Sequence, residues 1–139
     1  MRKEEFYREV IPNALGPLEG VKVLEATTSH AGPMVGTVLA DLGADVIKCD
    51  QPGWGDISRH GPPFVENRQS PETACYYLSI NRNKKCITLN LKDPQGGDLF
   101  RRLAATMDVV VQNYKPGTME KWGLGYEDIR ALKSDIIYT

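Results

Sequence analysis

The chain has 139 residues, 41% of them apolar and 25% charged, with a net charge of −1. That length suits one domain with a real core, and the balance is ordinary for a globular protein. Near-neutrality gives no whole-protein pull toward nucleic acid or a membrane surface, so a grip on an anionic ligand must come from a local basic cluster.

Residues 1–17 read as a polar N-terminal extension, with one amphipathic helix over Lys3–Val10 ended by Pro12 and a turn at Gly16-Pro17. The start MRKEEFYREV is charged and has no apolar run of the kind a secretory signal needs, and no stretch approaches the length of a membrane span. Three cysteines without CxxC spacing suit free thiols in a reducing compartment, and with only His30 and His60 as histidines no metal site is expected. A cytoplasmic protein is the expectation.

Between Val21 and Asp50 the sequence writes strand, helix, strand. VKVLE and ADVIKCD are strand-like, with Val21, Val23, Val46 and Ile47 apolar and β-branched. In between, Met34, Val35, Val38, Leu39 and Leu42 are spaced as one apolar face of a helix. Pro33 suits its first turn and Gly43 a left-handed C-terminal cap. A connection of this length makes the two strands parallel neighbours with a right-handed crossover. Ligands of such sheets bind at the carboxyl ends of the strands, here at the loop Ala26–Gly32.

A loop rich in Gly, Pro and polar residues follows over Gln51–Pro71, too long for a simple connector and therefore functional or covered by a partner. Thr73–Ile80 is ambiguous between helix and strand, and Asn81–Lys85 is a basic turn. Cys86–Leu91 alternates as a strand does. Asp93 and Pro94 open a helix with Leu99, Phe100, Leu103 and Ala104 on one side. Asp108–Gln112 reads as a central strand, Thr118–Trp122 and Tyr126–Lys133 as short helices, the latter with Ile129 and Leu132 on one face, and Ile136–Tyr138 as a further strand. Helices alternating with apolar strands imply an α/β fold, a mostly parallel sheet covered on both faces.

Few residues announce chemistry. The first turn offers only Ala31-Gly32-Pro33 and Gly36, so the G-x-G-x-x-G dinucleotide fingerprint fails, although Asp50 stands where such enzymes hold a ribose. Arg82, Lys84 and Lys85 form either a solvated charge run or a landing site for phosphates. Lys92, Lys115 and Lys121 each follow the carboxyl end of a predicted strand, which delivers three cations to one sheet edge, with His30 and Asn113. No nucleophile–base constellation is visible; Ser29 and His30 are adjacent in sequence and lack a third orienting group.

Taken together, LEGVKVLEATTSHAGPMVGTVLADLGADVIKCDQPGWGD, NRNKKCITLNLKDPQG and DVVVQNYKPGTMEKWGLGYEDI with its closing IIY resemble the opening portion of family III CoA-transferases. That family includes formyl-CoA and carnitine CoA-transferases, with α-methylacyl-CoA racemases as relatives, and the likeness runs from Leu18 to Tyr138. The resemblance implies a Rossmann-like large domain that binds coenzyme A, of which residues 18–139 are the N-terminal segment. It implies an interlocked homodimer, an acyl-CoA donor and a carboxylic acid acceptor. In the family a downstream aspartate attacks the thioester, forms a mixed anhydride and then an aspartyl-CoA thioester, and the CoA passes to the acceptor. The motifs carry CoA contacts onto His30, Ala31, Leu89, Asn90, Leu91, Lys92, Asn113, Tyr114, Lys115 and Lys121. His30 stands where formyl-CoA transferase has glutamine, and Gln51 where it has a CoA-contacting arginine, which either weakens the adenosine-phosphate grip that the resemblance implies or shifts it onto Arg82, Lys84 or Lys85. The nucleophilic position lies beyond Thr139, so no catalytic residue is expected here. The rivals are a racemase relative and a non-catalytic CoA-binding fragment or subunit.

Overall fold

The computed structural model describes residues 15–139, so the helix expected over Lys3–Val10 lies outside the described residues. The strands are β1 (Lys22–Ala26), β2 (Asp45–Asp50), β3 (Lys85–Thr88), β4 (Val109–Gln112) and β5 (Ile137–Tyr138). The helices are α1 (Ala31–Asp41), α2 (Cys75–Ile80), α3 (Pro94–Ala104), α4 (Thr118–Lys121) and α5 (Tyr126–Arg130). All five strands are parallel, in the order β3-β2-β1-β4-β5. The chain therefore builds outward from β1 in one direction and then in the other. The carboxyl ends of β1 and β4 flank the point where the order reverses, which opens a crevice on that edge.

The α/β expectation holds, and so do most element positions. Thr73–Ile80 resolves as helix from Cys75, and β3 ends at Thr88, leaving Leu89–Leu91 to run over the sheet edge. At α3, the Asp93 carboxylate accepts a hydrogen bond from the Gln95 N–H (2.9 Å), and Pro94 fills the first turn, the cap that the sequence predicts.

Both faces of the sheet are covered. On one, Leu24, Ala26 and Val110 pack with Phe100, Ala104, Met119, Leu124 and Ile129. On the other, Val23, Val46 and Val111 pack with Ala40 and Ala44. The apolar face expected of α1 is corrected here. Met34, Val35, Val38 and Leu42 are exposed, and the face against the sheet is Gly32, Pro33, Gly36, Thr37 and Ala40. The reason is close approach: a Cβ on Gly36 would lie 1.8 Å from Glu25 Oε2. The helix is apolar all round, and only its small side fits over the polar groups buried beneath it. Leu99 and Leu132, also expected to face inward, are exposed, while Phe100 and Ile129 carry the packing of their segments.

Candidate functional site

Under the carboxyl edge, on the α1 side, lies a network of buried charges. Residue Glu25 on β1 is in register with Lys48 on β2, and both are fully buried. The Lys48 Nζ lies 3.1 Å from Glu25 Oε1, 3.0 Å from Asp56 Oδ2 and 3.5 Å from Asp50 Oδ1, and it donates to the Thr27 carbonyl at 2.9 Å. Glu25 Oε2 also meets Lys84 Nζ at 2.8 Å. Asp50 Oδ2 meets Arg59 at 3.5 Å, and the Arg59 guanidinium lies 3.6 Å above the Tyr77 ring. Three carboxylates and three cations thus balance in a space largely closed to water.

Protonation follows from that setting. Burial alone would lower the Lys48 ammonium, but Glu25, Asp56 and Asp50 together outweigh it and raise its pKa. Burial likewise works against ionised Asp56, yet Lys48 and the Ser58 hydrogen bonds hold it below the usual carboxylate range. For Asp50 burial prevails over Lys48 and Arg59, and its pKa rises. Burial lowers Lys84 despite its bond to Glu25. Both aspartates near the edge are engaged by cations, which leaves neither as a free nucleophile.

Above this network the edge carries three adjoining hollows. The central one, about 330 Å³, is lined by Leu89–Lys92 after β3, by Tyr114, Lys115, Thr118 and Trp122 after β4, and by Cys49–Gln51 at the end of β2. It shares Leu91, Lys92 and Trp122 with a second hollow of about 300 Å³ that adds Arg101 and Lys121. On its other side it shares Cys49, Asp50, Gln51 and Tyr114 with a third, about 340 Å³, walled by Thr27, Thr28, Ser29, Trp54 and Ile57. The three form one trough graded in charge. Lys92, Arg101 and Lys121 stand at one end beside a single acid, Asp93, with Lys115 at the middle; the other end has no cation, and its one acid, Asp50, is buried and paired with Lys48 and Arg59, which leaves that end neutral. Among the described residues, Lys92, Lys115 and Lys121 make no ion pair. Cys49 lies in the wall between two hollows, and burial followed by Asp50 pushes its thiol up to about 11.

Of the ten residues singled out from the sequence, Leu89, Asn90, Leu91, Lys92, Tyr114, Lys115 and Lys121 line this trough. His30, Ala31 and Asn113 sit at its neutral end without lining it. The Asn113 side chain is spent on the first turn: it donates to the Thr28 carbonyl (2.7 Å) and accepts from the Thr28 N–H (3.0 Å). His30 stacks on Tyr76, and the Tyr76 hydroxyl meets its Nδ1. Of the two alternatives for the basic turn, the contacts favour the structural one. Arg82 pairs with Asp41 and Lys85 with Asp45, Lys84 is buried against Glu25, and none of the three lines the trough. Arg101 was not among the expected residues, since it joins Lys121 only through the packing of α3 beside α4. The network of Glu25, Lys48 and Asp56 also went unread, although Glu25 and Lys48 share the strand parity of Val23 and Val46. No group of three or more His, Cys, Asp or Glu among the described residues is placed to hold a metal.

The sequence model of CoA-transferase family III matches residues 18–139. Human succinyl-CoA:glutarate CoA-transferase is 51% identical over 127 residues, covering 91% of this chain and 28% of that protein. A probable fatty acyl-CoA transferase of Mycobacterium tuberculosis is 44% identical over 127 residues, covering 91% of this chain and 32% of that protein. The orthorhombic crystal structure of the latter superposes with a TM-score of 0.83 at 44% identity, over 91% of this chain and 34% of that one. A CAIB/BAIF family protein from Brucella suis gives a TM-score of 0.81 at 45% identity, over 90% and 33%. The chain therefore spans about a third of the length of the curated relatives it matches.

Proposed function

The chain belongs to CoA-transferase family III, and from that premise we propose that it supplies the coenzyme A-binding edge of an enzyme that moves CoA between carboxylic acids. One observation carries the reading: the trough has an excess of cations at one end and no unpaired charge at the other, where Asp50 is held by Lys48 and Arg59. Coenzyme A has the same grading, with phosphates on its nucleotide and a neutral amide-linked arm ending in the thiol. On this reading Lys92, Arg101 and Lys121 take the phosphates, and Tyr114 and Trp122 flank the middle. The arm runs toward Thr28 and Ser29, which brings the thioester to the turn that precedes α1. A hydrogen bond from a lysine to a phosphate contributes about 1.5–3 kcal/mol.

Transfer needs a carboxylate that attacks the thioester carbonyl. Because Asp50 and Asp56 are held by Lys48 and Arg59, the nucleophile is taken to come from outside residues 15–139. The reading therefore assigns binding to this chain and predicts no transfer by it alone. Residues 18–139 are read as the N-terminal segment of a larger Rossmann-like domain, as expected from the relatives' length. Exposed Met34, Val35, Val38 and Leu42 support a protein partner over α1, which the interlocked dimer of the resemblance would supply. Free thiols at Cys49, Cys75 and Cys86 support a cytoplasmic setting.

Trp122 gives a direct test, since it lines two of the three hollows. Titration with CoA is expected to change its fluorescence saturably, and Lys92→Ala to shift the curve to higher ligand. A flat titration of the unmodified chain would reject the proposal.

A further inference from the structure

Asp56 belongs to the long loop after β2, yet it is 1% exposed. Its Oδ1 accepts three hydrogen bonds, from the Ser29 N–H (3.0 Å), the Ser58 N–H (2.9 Å) and the Ser58 hydroxyl (2.8 Å). Its Oδ2 faces Lys48. Ser29 has a φ of 75°, the left-handed region that disfavours any residue with a Cβ. A non-glycine residue persists there only when its surroundings over-determine it. On one side Asn113 clamps the Thr28 backbone, and on the other Asp56 holds the Ser29 N–H. Ser29 and Thr28 form one wall of the neutral hollow, and Trp54 and Ile57, from the loop that carries Asp56, form the other.

We propose that Asp56 is a positioning residue: through its bond to Ser29 it keeps the β1–α1 turn left-handed and fixes the width of the neutral hollow for the uncharged arm of an acyl-CoA. The ion pair of Oδ2 with Lys48 leaves Oδ1 to accept from the turn. Asp56 touches no ligand itself. The inference rests on the CoA reading above, which places the arm in that hollow.

Two ligands separate the ends of the trough. Adenosine 3′,5′-bisphosphate reports the cationic end, and acetyl-CoA reports both. Calorimetry on Asp56→Ala is expected to show acetyl-CoA weakened about tenfold and the bisphosphate within about twofold. Adding Ser29→Gly to Asp56→Ala is expected to recover much of the loss, because glycine takes the left-handed region without strain. A purely structural role for Asp56 gives no such rescue. Ser29 is exposed, so Ser29→Val leaves the core intact, and it is expected to weaken acetyl-CoA and spare the bisphosphate. Amide exchange of Ser29 needs no ligand; it is expected to be slow in the unmodified chain and to accelerate in Asp56→Asn or Asp56→Ala. Equal losses for both ligands, no rescue by glycine, or Ser29 exchange indifferent to Asp56 would overturn the proposal. If neither ligand binds the unmodified chain while Ser29 exchange still depends on Asp56, the CoA reading fails and the hold on the turn stands.

Discussion

Replacing Lys48 with methionine tests the buried network. Lys48 Nζ faces three carboxylates at 3.0–3.5 Å. At an effective dielectric near 20 each contact is worth about 5 kcal/mol gross, and desolvation of the ions offsets several kcal/mol of that. Removing the cation leaves Glu25 with Lys84 and Asp50 with Arg59, whereas Asp56 keeps only its hydrogen bonds. Breaking a buried pair in this way costs about 3–5 kcal/mol, against a total stability of about 5–15 kcal/mol for a domain. Urea unfolding followed by tryptophan fluorescence at pH 7 is expected to show a loss of that size, largely recovered on adding Asp56→Asn. The pH trend carries a sign as well. Without Lys48, burial is expected to raise the folded pKa values of Asp50 and Asp56 above their unfolded ones. The folded state then binds more protons, and the variant gains stability as pH falls from 7 toward 5. In the unmodified chain Asp56 sits below the usual range, so its contribution is present above about pH 4 and lost as pH falls further. A loss under about 1 kcal/mol at pH 7, or a variant that weakens between pH 7 and 5, would refute the reasoning.

Gly36→Ala adds a Cβ 1.8 Å from Glu25 Oε2 and is expected to cost about 1–3 kcal/mol despite alanine's better helix propensity. Val38→Lys on the exposed side of α1 is expected to stay within about 0.5 kcal/mol in the same urea melts. Lys121→Ala is expected to weaken CoA by about 1–3 kcal/mol, read by calorimetry, and an unchanged dissociation constant removes Lys121 from the site. At pH 8 a thiol reagent is expected to label exposed Cys86 quickly and to spare buried Cys49, whose thiol is pushed up to about 11; labelling of Cys49 at the rate of Cys86 contradicts its placement.

Strand and helix positions were legible because they rest on local rules. β-branched runs marked β1, β2 and β4, and Asp93 before Pro94 marked the start of α3. The convergence of Lys92, Lys115 and Lys121 was legible because a parallel sheet brings its strand ends to one edge. The inward face of α1 was not. Periodicity finds a large apolar stripe, but the depth available over Glu25 selected the small one. Lys48 and Glu25 were hidden for a related reason: a charged residue in a strand reads as solvated until its partner across the sheet is known, and strand parity was the available signal. The burial of Lys84 was not legible because the turn folds back onto the sheet, and only the tertiary contact with Glu25 reveals that.

Nuclear magnetic resonance mapping of CoA on the isotope-labelled chain addresses the trough most directly. Amide shifts are expected at Leu89–Lys92, Tyr114–Lys115, Lys121 and Thr28–His30, all on the carboxyl edge of the sheet. Shifts confined to Lys22, Asp45 and Lys85, or none at saturating CoA, would contradict the assignment.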